Sequence, residues 1–248
     1  MHANLKGKKQ LAMTTLKGKV ALITGGSKGI GYGIAESLLE QGLKVAITAR
    51  SKERVEAAQK KLSEKGDVLG FAVDVRNAKA QADAVKDIVA QWGSLDVLIA
   101  NAGVGHFAPI DTMTEEQWHE TIDTNLTGVF YSIKAALDPI KKSKGYIITI
   151  ASLAGVNFFE NGSAYNASKF GLVGFTQAVM LDLRRQGIKV STIMPGSVAT
   201  YFNDHTPSEQ DAWKIQPEDI GQIVVDLLRM HPRTLPSKVE VRPSIPGK

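Results

Sequence analysis

The run Val20-Ala21-Leu22-Ile23-Thr24-Gly25-Gly26-Ser27-Lys28-Gly29-Ile30-Gly31 decides the fold. Its first four residues are apolar without alternation, which suits a strand covered on both faces, and the glycines after Thr24 suit a tight turn opening into a helix. Outward from this unit the same alternation repeats along the chain. Strands are expected over 20–24, 44–49, 68–73, 97–100, 146–151 and 189–194. Helices are expected near 30–41, 52–64, 78–92, 124–142, 163–185 and 217–230. Thr114 and Gln117 have capping-box spacing, and Pro217 followed by Glu218 and Asp219 suits a helical first turn. Short strands alternating with long amphipathic segments imply an α/β fold, a doubly wound parallel sheet with helices on both faces.

The 248 residues show no repeat or linker, so residues 17–248 read as a single domain with a lid at 196–216. Residues 1–16 lack apolar periodicity and read as a flexible leader, with Met13 an alternative start. Ordinary proportions of hydrophobic (43%) and charged (22%) residues exclude a disordered or fibrous protein. With no cysteine, thiolate metal sites and catalytic thiols are excluded, and the five histidines show no ligand spacing, so no metal is expected. Of the net charge of +5, four charges come from Lys6, Lys8, Lys9 and Lys17. The nearly neutral remainder argues against a nucleic-acid partner. No apolar run is long enough for a signal peptide or a membrane span, so a cytoplasmic protein without a membrane partner is expected.

The glycine turn has the spacing G-x-x-x-G-x-G. Gly25, Ser27, Gly29, Ile30 and Gly31 read either as a tight βα turn or as a cradle in which helix amides face a pyrophosphate. About 20 residues beyond Gly29, where an acid would bind a ribose hydroxyl, stands Ala49 followed by Arg50. Arg50 with Lys28 suits a 2′-phosphate, favouring NADP(H) over NAD(H), unless both are solvated surface cations. Asp74 is a candidate acceptor for the adenine amino group or a strand-end cap. Asn101-Ala102-Gly103 lets a ribose lie over the strand end or merely terminates the strand.

Asn125, Ser152, Tyr165 and Lys169 are the candidate catalytic residues. Tyr165 and Lys169 are four apart, so a helix stacks them on one face, and an ammonium there is expected to lower the phenol pKa. Such a phenol delivers a proton to the alkoxide that forms when a carbonyl accepts hydride. Ser152 is placed to hydrogen-bond the same oxygen or to cap a turn. Asn125 is placed to hold a relay water or to cap a helix.

Thr24-Gly25-x-x-x-Gly29-x-Gly31, Asn101-Ala102-Gly103, Asn125, Ser152, Tyr165-x-x-x-Lys169 and Pro195-Gly196, in this order, resemble the short-chain dehydrogenase/reductase family in its branch of roughly 250 residues. The resemblance implies a Rossmann-type sheet and a tetrad. In it Tyr165 is the acid in reduction and base in oxidation, Ser152 polarises the carbonyl, Lys169 binds ribose and tunes Tyr165, and Asn125 supports a proton relay. It also implies that Asp74 and Val75 meet adenine, Asn101, Ala102 and Gly103 the adenosine side, and Pro195, Gly196, Val198 and Thr200 the nicotinamide end. Basic residues at Lys28 and Arg50 go with NADP(H) in this branch.

Three departures from the family pattern stand out. Ala100 replaces a frequent Asn, the segment from Ser237 to Pro243 lacks the Asp-Gly-Gly ending of many members, and the lid is short. The helix carrying Tyr165 is apolar over most of its circumference, so at least a homodimer, and a homotetramer by preference, is expected. Phe158, Phe159, Tyr201, Phe202 and Trp213 hint at an apolar substrate portion, and His106 either touches substrate or is a solvated loop residue. The leading expectation is an NADPH-dependent oxidoreductase acting on small carbonyl or secondary-alcohol substrates. Its alternatives are a 3-oxoacyl thioester reductase and a non-catalytic NADP(H)-sensing regulator.

Overall fold

The protein is described by a computed structural model covering residues 15–245. Seven strands form one all-parallel sheet: β1 (Val20–Thr24), β2 (Lys44–Ala49), β3 (Val68–Ala72), β4 (Val97–Ala100), β5 (Tyr146–Ile150), β6 (Lys189–Pro195) and β7 (Lys238–Val241). Their order across the sheet is β3-β2-β1-β4-β5-β6-β7. The helices are α1 (Gly29–Glu40), α2 (Lys52–Leu62), α3 (Ala78–Trp92), α4 (Glu115–Ile122), α5 (Gly128–Ser143), α6 (Ser163–Leu183) and α7 (Pro217–Arg229).

The unalternating apolar strands are buried on both faces because each covers two layers. Along β1, Ala21 and Ile23 pack with α1, α2 and α7, whereas Val20 and Leu22 pack with α3, α5 and α6. Chain order reverses between β1 and β4, which both neighbour strands in register: Ala21 sits opposite Val45 on one side and Val97 on the other. At such a switch point the strand ends leave a crevice for a ligand.

Three differences from the sequence expectation have local causes. Leu16, read as part of a leader, is buried in the core, so the folded chain begins before Lys17. Residues 1–14, which hold the rest of that expected leader, lie outside the described residues. The helix expected from residue 124 starts later: the capping box of Thr114 and Gln117 opens α4, and a π-helical turn at Asp123–Thr127 joins it to α5. Finally β7, a four-residue strand of half-buried and exposed positions, was not expected. It pairs with β6, and Gly196 N–H donates to the Val241 carbonyl at 2.8 Å.

Candidate active site

A groove of about 1580 Å³ runs over the carboxyl ends of the strands. Its wall includes Gly25, Ser27, Lys28, Gly29, Ile30, Arg50, Val75, Asn101, Ala102 and Gly103 at one end. Ser152, Tyr165, Lys169, Pro195, Gly196, Val198 and Thr200 line the other. Gly31, Asp74 and Asn125 do not line it; the first and last act from beneath.

The glycine turn is held by β4. Thr24 Oγ1 accepts from the N–H groups of Asn101 (3.0 Å) and Ala102 (3.1 Å), while Asn101 Nδ2 donates to the carbonyls of Thr24 (2.9 Å) and Gly25 (3.1 Å). Gly25 has φ +65°, and a Cβ on Gly31 would come 2.5 Å from the Gly25 carbonyl oxygen, so both positions need glycine. At the start of α1, Lys28 supplies no side-chain cap and the first turn holds no acid. Its amides are therefore left facing the groove. Thr48 and Thr124 also line the groove, and their hydroxyls are, among the described residues, the buried side-chain polar atoms without a partner. Neither was singled out in the sequence, because only burial distinguishes them from other threonines.

Around the phenol, α6 carries Tyr165 and Lys169 on one face, with the ammonium 5.6 Å from the ring centroid. Lys169 Nζ donates to the Ile150 carbonyl at 3.2 Å, and burial pushes its pKa down to about 8. Tyr165 differs from expectation. Burial raises the phenol pKa and the Ser152 hydroxyl beside it opposes only in part, so desolvation wins at this ring. Ser152 also accepts from Ala154 N–H at 3.1 Å, capping the short turn after β5.

Asn125 lies in the π-helical turn, fully buried. Its Oδ1 accepts from Val104 N–H (2.8 Å), and Nδ2 donates to the Val104 carbonyl (2.8 Å) and Ser168 Oγ (3.0 Å). Ser168 Oγ in turn donates to the Tyr165 carbonyl at 2.7 Å. Both amide hydrogens are committed, so the side chain fastens the loop after β4 to the helix bearing the phenol, and the expected relay water is not held by those hydrogens.

The charged residues at the glycine-turn end of the groove also carry contacts that the sequence did not foreshadow. Arg50 Nη1 pairs with Glu120 Oε1 at 2.9 Å, and the other oxygen of Glu120 meets His106 Nε2 at 2.8 Å. The two partners hold the Glu120 carboxyl below its usual pKa. His106, half-buried and lining the groove, also anchors Glu120. Asp74 binds the Arg76 guanidinium through both oxygens, Nη2 lying 2.6 Å away, and accepts from Arg76 N–H at 2.9 Å. This pairing holds its carboxyl below the usual range. Lys28 Nζ reaches the Tyr201 carbonyl at 3.5 Å and lies over that ring, tying the glycine turn to the lid. The lid is closed at its base by Ala199 and Ile215, which hydrogen-bond at 2.9 Å.

Residues 19–211 match the family model described as short chain dehydrogenase. The chain belongs to the short-chain dehydrogenase family. It is an oxidoreductase with the Rossmann-type sheet of that family. An uncharacterised oxidoreductase of Staphylococcus aureus is 32% identical over 93% of this chain and 100% of the relative. A 3-oxoacyl-[acyl-carrier-protein] reductase of Vibrio cholerae is 37% identical over 79% of this chain and 80% of its own length. Among solved structures, an alcohol dehydrogenase from the archaeon Thermococcus sibiricus, complexed with 5-hydroxy-NADP, superposes with a TM-score of 0.86. It shares 29% identity and covers 93% of this chain and 99% of that one. No helix among the described residues of this short-chain dehydrogenase is long and apolar enough to cross a membrane.

Proposed function

We propose that the chain is an NADPH-dependent reductase of small carbonyl compounds that also oxidises the matching secondary alcohols. The observation that carries this reading is the meeting of Ser152, Tyr165 and Lys169 in one groove with an uncapped, glycine-lined helix start.

The residues present fit a nicotinamide dinucleotide. The α1 amides suit its pyrophosphate. Val75, Asn101, Ala102 and Gly103 would border the adenosine, and Pro195, Gly196, Val198 and Thr200 the nicotinamide. Lys28 and Arg50 favour a 2′-phosphate, with Arg50 sharing or giving up its contact with Glu120. When bound, the nicotinamide supplies the hydride.

This chain's own groups handle the proton. A phenol whose pKa is raised stays protonated at neutral pH, which suits donation to the oxygen of a carbonyl being reduced. Ser152 offers a second hydrogen bond to that oxygen. Lys169, charged below about pH 8, stands one helical turn away to favour the phenolate left behind. Asn125 keeps the loop and α6 in register for this exchange.

Similarity to the Vibrio reductase supports a second reading, reduction of a 3-oxoacyl thioester. The first reading includes a cytoplasmic location and self-association into a homodimer or homotetramer through the exposed Phe130, Phe170 and Leu181 on α5 and α6. The test follows NADPH and NADH consumption with the wild type against aldehydes, ketones and a 3-oxoacyl thioester. Carbonyl-dependent consumption that prefers NADPH is the expected result. Tight NADPH binding with no carbonyl reduced would overturn the reading and favour a sensor.

A further inference from the structure

Three phenylalanines from three separate segments converge on Tyr165. Phe107 comes from the loop after β4, Phe159 from the loop before α6, and Phe202 from the lid. Their ring centroids lie 5.4, 6.4 and 5.7 Å from that of Tyr165, in tilted or edge-on geometry. Phe107 also meets Phe159 at 5.7 Å and Phe202 at 6.4 Å, so it joins the other two. Phe159 and Phe202 line the groove with Val104 and Leu153, and they remain 47% and 36% exposed. Apolar rings held open beside a reacting group imply a partner that covers them.

The charges of this wall are already matched. His205 and Lys214 both pair with Asp211, at 2.7 and 2.6 Å, and Arg242 pairs with Glu240 at 2.9 Å. Arg50 and His106 pair with Glu120. The remaining lining cations besides Lys169 are Lys28 on the glycine turn and Arg54 on α2, at the nucleotide end. Among the described residues, a substrate carboxylate or phosphate therefore finds no unpaired cation beside Phe159 and Phe202.

Building on the reductase reading, we propose that the site takes aryl ketones and the corresponding benzylic alcohols, whose flat ring packs on Phe159 and Phe202 while the carbonyl oxygen faces Tyr165. Ring edges meeting ring faces add attraction that a saturated ring of the same size lacks, about 2- to 10-fold for each pair.

The experiment measures kcat/KM with NADPH for acetophenone, cyclohexyl methyl ketone, phenylglyoxylate and an acetoacetyl thioester of N-acetylcysteamine. Wild type is compared with Phe159→Leu and Phe202→Leu. Acetophenone is expected to exceed its saturated counterpart by about tenfold, and each variant to shrink that ratio several-fold. Binding of NADPH to each variant, followed by cofactor fluorescence, reports that the fold is intact. A ratio near one that neither variant moves, or a best substrate that is the thioester or the carboxylate, would overturn the aryl assignment while leaving the reductase reading standing. If NADPH binds and none of the four carbonyls is reduced, the reductase reading falls, and this proposal with it.

Discussion

Where the glycine turn meets β4, two short polar side chains fasten main-chain groups. Four hydrogen bonds from Thr24 and Asn101 fix the backbone, and no bulky side chain intervenes. Around Tyr165 the wall is instead made of rings carried on loops and packed tilted or edge-on against one another. A backbone cradle tolerates little change, because a Cβ at Gly25 or Gly31 would press on neighbouring backbone. A wall of side chains can be rebuilt one ring at a time without disturbing the sheet. Cofactor recognition and substrate choice are therefore physically separable in this molecule, and substitutions at the two ends should fail in different ways.

The largest separation is expected from Lys169→Met. Removing the ammonium lowers carbonyl turnover by about 10²- to 10³-fold, the range usual for groups that assist proton transfer. It also relieves a buried charge, so thermal unfolding shifts upward by a few degrees. A melting curve and a steady-state assay on the same preparation check both halves. Next comes Gly31→Ala. Its Cβ would crowd the Gly25 carbonyl and Asn101 Nδ2, at 2.5 and 2.6 Å, so NADPH affinity is expected to fall about ten- to a hundredfold in a fluorescence titration. The order of preference among carbonyls should stay as in the wild type, because the ring wall is untouched.

A smaller effect is expected from pH. A lysine held at about 8 instead of its ordinary 10.5 carries its charge below about pH 8 and loses it above. Reduction kcat/KM is thus expected to be level below that pH and to decline above it, whereas the phenol, raised by burial, keeps its proton through the same range. A profile taken from pH 6 to 9.5 shows whether the decline is there. The smallest change belongs to Glu120→Gln. The Arg50–Glu120 pair is more than half exposed on the arginine side, so freeing Arg50 is worth about a factor of two to five in NADPH affinity. NADH affinity, measured in parallel, should move less; an equal shift for both would remove Arg50 from the 2′-phosphate site.

The glycine turn and the strands beside it were largely legible in the chain, since their signals are local. The apolar runs that became β1, β2 and β4 match residue for residue, because strands covered on both faces leave no alternation to misread. The glycine turn and the four-residue spacing of Tyr165 and Lys169 are equally local. What escaped depends on partners distant in sequence. Arg50 and Glu120 are 70 positions apart, and Asn125 bonds residues 21 and 43 positions away. No periodicity marks the π-helical turn, and β7 at the sheet edge is too short and too wet to stand out. The phenol pKa moved opposite to expectation because spacing supplies a neighbouring cation but says nothing of burial, which here outweighs it.

Everything said of the chemistry rests on Tyr165 as the proton donor. Tyr165→Phe removes one oxygen and keeps the ring among Phe107, Phe159 and Phe202. The decisive measurement compares this variant with wild type for NADPH binding and for NADPH-driven reduction of one ketone. Unchanged binding with reduction lowered by about 10³-fold or more is the expected result. Reduction within a few-fold of wild type, with binding intact, would contradict the account.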